Sequence, residues 1–69
     1  MPSKEIVKIL LIKRGMTITK LAEKLSNSSD KKYSRANLSD KISRSAIRFD
    51  EMEKIAQILG YRIEFLDIN

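Results

Sequence analysis

Between Ser34 and Arg44 the chain reads SRANLSDKISR, and apart from Ala36, Leu38 and Ile42 every residue in it carries a side-chain hydrogen-bonding group. On a helix, residues four apart share a face, so Leu38 and Ile42 can dock on a core. Arg35, Asn37, Ser39 and Lys41 must then look elsewhere. Ser34 can start such a helix by accepting a hydrogen bond from a backbone N–H two or three residues on. A helix held from behind, with mixed donors and acceptors in front, suits the major groove of duplex DNA, where base edges display their own pattern of donors and acceptors. An ordinary amphipathic surface helix reads the same way in isolation, so the surroundings have to decide.

Composition removes most other chemistry. The chain has no cysteine and no histidine, hence no disulfide, no thiolate metal site, and neither the commonest metal ligand nor the commonest general base. Asp50, Glu51 and Glu53 fit a helix start better than an acid–base pair. With only Gly15 and Gly60, no glycine-rich phosphate loop can be built. The expectation is no enzyme, no metal and no cofactor. Phe49 and Phe65 read as core, leaving no aromatic platform for the stacked bases of RNA.

At 69 residues the expectation is one domain, 1–69, small enough that a compact helical core or a dimer must supply its stability. No apolar run approaches the roughly 20 residues of a membrane span. Met1 to Lys4 does not lead into a signal-peptide pattern, so a cytoplasmic protein is expected. The net charge is +5, and it is unevenly spread. Residues 1–48 carry twelve Lys or Arg against four acids, whereas residues 49–69 carry two against five. A basic part beside an acidic end suggests a polyanion-binding surface and a separate end for another task, against the plainer reading of a solvated lysine-rich surface.

The elements that must position the central stretch follow from period and punctuation. Ser3 is a candidate N-cap for a helix over about 4–14, whose Ile6, Val7, Ile9, Leu10, Leu11 and Ile12 read as core, with Gly15 as its stop. Thr17 is the next N-cap, before a helix over about 18–25 that buries Ile18, Leu21, Ala22 and Leu25 and carries Lys20, Glu23 and Lys24 outside. Ser26 to Lys32 is a loop by composition, with nothing to bury. The central helix spans about 34–44, and Ser45 to Arg48 is irregular. Asp50 and Glu53 read as a reciprocal cap for a helix over about 50–59 that buries Met52, Ile55, Ala56 and Leu59 and ends at Gly60.

Beyond Gly60 the period changes to two. Tyr61, Ile63 and Phe65 alternate with Arg62 and Glu64, the pattern of a strand over about 61–67. No other segment looks like its partner, and an unpaired strand edge invites another chain. Self-pairing about a two-fold axis through Tyr61, Ile63 and Phe65 is one solution; a tail folded back on its own core is the other.

Taken together, KRGMTITKLAEKL, YSRANLSDKISR and FDEMEKIAQILGY give the chain a resemblance to the Cro and phage-repressor type of helix-turn-helix domain, the XRE-like family, over about residues 6–66. The resemblance implies a mainly α, four- to five-helix, lambda-repressor-like domain with a short β-like tail, the C-terminal strand that the unpaired-edge argument would pair across a homodimer. It implies a small regulator that binds double-stranded DNA sequence-specifically and represses by occupying an operator. Thr17 to Leu25 would be the first helix of the motif and Ser34 to Ser43 the recognition helix. Arg35, Ala36, Asn37, Ser39 and Asp40 would face bases. Thr17, Thr19, Lys20, Ser34, Lys41 and Arg44 would lie near phosphates, and Lys31 and Lys32 could join them.

Two features depart from the family pattern. Ser26 to Tyr33 is about twice the usual link and has no glycine, although extra loop length costs little in closure entropy. Asp40 places a carboxylate near DNA, tolerated where it accepts from cytosine N4 or orients a neighbouring Arg or Lys. The competing function is a protein-interaction module, such as the DNA-binding, antitoxin-like subunit of a two-protein system, whose acidic end and strand would hold a different protein.

Overall fold

A computed structural model describes residues 3–68, with side chains from residue 4 onward. Four helices follow one another: α1 (Ser3–Arg14), α2 (Ile18–Asn27), α3 (Arg35–Ser43) and α4 (Phe49–Ile58). Their boundaries are set by short-range hydrogen bonds. Thr17 sits in extended backbone and its hydroxyl accepts the Lys20 N–H at 3.2 Å; Ser34 accepts the Asn37 N–H at 3.0 Å in the same way. Each satisfies an amide that the first helical turn leaves without a partner. The helix over 3–14 already includes Ser3, whose side chain lies outside the described residues.

Three helix ends close alike. Gly15 (φ 63°), Ser45 (φ 52°) and Gly60 (φ 85°) adopt left-handed backbone. After each, the next N–H reaches back to the last turn: Met16 to Leu11 O at 3.0 Å, Ala46 to Lys41 O at 2.8 Å, Tyr61 to Ala56 O at 2.7 Å. These bonds satisfy carbonyls the helix cannot pair internally. Glycine reaches this backbone freely, whereas Ser45 does so against its own Cβ.

The core gathers Val7 and Leu11 of α1, Leu21, Ala22 and Leu25 of α2, Leu38 and Ile42 of α3, and Ile55 and Leu59 around α4. Leu38 is fully inaccessible and Ile42 nearly so, and burying side chains of this size contributes about 1.5–3 kcal/mol each. Helix α2 packs against both α3 and α4, and α1 packs against α3. Helix α3 is therefore supported from two sides.

Several expectations need correction. No strand forms over 61–67, nor anywhere else among the described residues. Tyr61 and Ile63 are half-buried, but Phe65 is 85% exposed. A strand exists only through a ladder partner, and none of the four helical elements supplies one. Phe49 and Phe65 are not core: both are exposed, and their rings stack on each other with centroids 6.0 Å apart. Helix α1 is less completely buried than its composition suggests, because Ile9 and Ile12 face outward. Helix α4 begins one residue before Asp50. Arg48 is its N-cap, and Glu51 accepts the Arg48 N–H at 2.9 Å. The Asp50/Glu53 pairing is displaced because Arg48/Glu51 offers the same three-residue spacing and Glu51 is the one that points inward.

An open apolar groove of about 400 Å³ lies between Ile6 and Leu10 of α1, Met52 and Ala56 of α4, and Tyr61 and Ile63. Arg14 stands at one end, with its guanidinium carbon 4.3 Å from the centre of the Tyr61 ring.

Candidate nucleic-acid interface

The candidate surface is built from α2, the connection after it, and α3. Seven residues, 28–34, separate the two helices. This link is fastened at both ends. The Ser26 hydroxyl oxygen accepts the Tyr33 N–H at 2.7 Å and lies 2.8 Å from Ala22 O and 3.1 Å from Tyr33 O. Ser28 and Ser29 bring their hydroxyls to Leu25 O at 3.3 and 3.0 Å. Serines rich in a loop composition thus act as caps for the end of α2, whose last carbonyls have no helical partner. The loop expected over Ser26 to Lys32 begins later, because Ser26 and Asn27 belong to α2, and Tyr33 just beyond it packs against the core.

With Leu38 and Ile42 turned inward, Arg35, Ala36, Asn37, Asp40, Ser43 and Arg44 are exposed and Ser39 is half-exposed. All five residues expected to face bases therefore reach the solvent side of α3. Asp40 and Arg44 are joined on that side, Oδ2 to Nη2 at 2.7 Å. Thr17, Thr19 and Lys20 lie exposed at the start of α2, and Lys31 and Lys32 on the connection. Lys20 approaches Glu23 at 3.8 Å, a solvent-exposed pair that leaves it mobile.

Lys41 is different. It turns back to the body of the protein, where its Nζ donates to Glu51 Oε2 at 2.7 Å. The same oxygen accepts from the Tyr33 hydroxyl at 2.6 Å, while Oε1 takes the Arg48 N–H. Glu51 is only 4% exposed. Burial alone would raise its pKa, but the bonds from Lys41, Tyr33 and the Arg48 amide outweigh that and lower it to about 2. Burial, together with the bond to this carboxylate, pushes the Tyr33 phenol up to about 12. One carboxylate thereby ties the start of α4 to the end of the connection and to the last turn of α3.

Glu51 and Tyr33 were not singled out by sequence for this role. The spacings that unite them, ten and eighteen residues, carry no periodic signal. A buried acid on a helix start beside an aromatic loop residue is recognisable only once the helices are packed.

The geometry has a family counterpart. The family model for the Cro/C1-type helix-turn-helix DNA-binding domain matches residues 7–66. The chain belongs to this family. For this Cro/C1-type domain, DNA is the ligand that family membership indicates. Comparison with curated proteins and with solved structures returned no match. No helix among the described residues is long and apolar enough to cross a membrane.

Proposed function

We propose that this Cro/C1-type domain is a sequence-specific regulator of transcription that reads the major groove with α3 and represses by occupying its operator. The observation carrying the reading is the division of α3: Leu38 and Ile42 locked in the core, and Arg35, Ala36, Asn37, Ser39 and Asp40 outside. Arg35 and Asn37 are the chief candidates for base edges, where a bidentate pair contributes about 1–3 kcal/mol of discrimination. Thr17, Thr19 and Lys20 at the start of α2 and Lys31, Lys32 and Ser34 on the connection are exposed and would hold phosphates, each neutralised phosphate steepening the salt dependence. Lys41 is assigned to Glu51 instead.

Two copies acting together would place their recognition helices about 34 Å apart and read an inverted repeat. Segment 61–68 is the surface proposed for this pairing, because Phe65, Leu66 and Ile68 lie exposed on it. The test is selection from a random-sequence duplex pool at moderate salt. Enrichment of an inverted repeat, lost on Arg35→Ala or Asn37→Ala, supports both parts of the reading. Retention that is unselective and vanishes with salt overturns it and turns attention to a protein partner for 61–68.

A further inference from the structure

The family resemblance puts Arg44 near phosphates, at the end of the recognition helix. Its side chain does not extend that way. Helical side chains lean toward the N-terminus and cover the turn before their own Cα, and the 2.7 Å ion pair with Asp40 Oδ2 places the Arg44 guanidinium one turn back along α3. Asp40 lies almost opposite the buried Leu38 and Ile42 stripe, so the guanidinium is carried to the middle of the exposed face, in line with Ala36 and Asp40.

We propose that Arg44 is a base-reading residue, specific for guanine, and that Asp40 is the positioning residue that aims it. The inference rests on the major-groove reading of α3 given above. Nη2 carries two N–H groups. One side of Nη2 faces Asp40 Oδ2 in the ion pair, which leaves an N–H of Nη2 beside an N–H of Nη1 as a two-pronged edge. Guanine alone presents two adjacent acceptors, N7 and O6, to such an edge in the major groove. The ion pair also answers the difficulty of a carboxylate on a DNA-facing helix: Asp40 arrives with its charge matched, and the guanidinium is held in one orientation. In water such an exposed pair has little energetic weight, but removed from water against base pairs its hydrogen bonds strengthen.

The closing experiment measures binding of the full chain to the selected operator and to its single base-pair variants, at several salt concentrations, for the native protein and for Arg44→Ala, Arg44→Lys and Asp40→Asn. The expected result is one guanine position per half-site at which the native protein discriminates by about tenfold to a hundredfold. Arg44→Ala and Arg44→Lys lose discrimination there and keep it elsewhere. Asp40→Asn loses most of it while binding no more weakly overall, since a negative charge has been removed. If Arg44→Ala instead weakens every sequence equally and lowers the salt slope by about one, Arg44 is a phosphate contact and the proposal is overturned. If Arg44→Lys behaves as the native protein, a point charge suffices and the forked reading also falls. A native protein that selects no consensus at all overturns the major-groove reading itself, which is a separate and recognisable failure.

Discussion

The Nζ of Lys41, in the last turn of α3, lies 2.7 Å from Oε2 of Glu51 at the start of α4. The side chains are 24% and 5% exposed, so this is an ion pair largely withdrawn from solvent. Such pairs are costly to break from one side, because the surviving charge stays behind in a poor medium. Glu51→Ala would leave Lys41, the Tyr33 hydroxyl and the Arg48 amide without their common acceptor. A loss of about 3–5 kcal/mol is expected in chemical denaturation. Lys41→Met should cost somewhat less than Glu51→Ala, because the nearly inaccessible carboxylate loses its counter-charge but keeps the Tyr33 and Arg48 bonds. A Lys41→Met protein as stable as the native one would show that the ion pair contributes nothing to the fold.

Stability should fall in acid through this same group. The Glu51 pKa is lowered from 4.5 to about 2 in the folded protein, so the unfolded chain takes up its proton first. The contribution is present above the unfolded value and is lost as pH falls from about 4.5 toward 2, by about 3 kcal/mol in total. At the other extreme, the Tyr33 pKa is raised from 10.0 to about 12. Its contribution is present below pH 10 and lost as pH rises toward 12, because the unfolded phenol ionises first. Denaturation midpoints measured across both ranges check the two limbs. Tyr33→Phe should abolish the alkaline limb and shorten, without removing, the acid one.

Ser45 ends α3 with φ at 52°, where a side chain costs about 1–2 kcal/mol relative to ordinary helical backbone. Ser45→Gly relieves this while loosening the unfolded chain by about half as much. A net gain of up to ~1 kcal/mol is expected. Gly60→Ala should do the reverse. A Cβ there would meet the Arg14 guanidinium at an ordinary 3.6 Å, so its cost of about 1–2 kcal/mol would come from backbone alone. Thermal unfolding of both variants would show opposite shifts in midpoint.

The exposed end of the chain gives a fourth expectation. Replacing Phe65 and Leu66 together by Asp should leave monomer stability nearly unchanged, since both are already in solvent. It should shift sedimentation toward the monomer and weaken binding to an inverted repeat much more than to a single half-site. An undiminished dimer would place the interface elsewhere, with the groove beside Ile6 and Leu10 the next surface to vary.

How much of this was legible in the chain depended on range. Thr17 and Ser34 could be assigned because a capping hydroxyl reaches an amide three residues on, a distance sequence displays directly. Gly15 and Gly60 marked two helix ends for the same local reason, while Ser45 gave no warning because its left-handed backbone is imposed by the chain around it. At the start of α4, Arg48/Glu51 and Asp50/Glu53 have identical spacing, and only packing chooses between them. The strand over 61–67 was inferred from alternation that is a property of a pair of segments, and one copy provides a single member. The exposed residues of α3 were readable as a surface, yet the partnering of Lys41 with Glu51 and of Tyr33 with the same oxygen depends on how three elements meet.

The clasp between Ser26 and Tyr33 has a practical consequence. Because the Tyr33 amide is held on the Ser26 oxygen at 2.7 Å, residues 28–32, which follow the end of α2, form a side branch whose two ends are already joined. Chain spliced into that branch lengthens only the branch, at a closure cost that grows slowly with length. The angle between α2 and α3 is set below the clasp and is indifferent to it. A reporter peptide or a small fluorescent label introduced after Asp30 would therefore ride on the motif while leaving the aim of α3 intact.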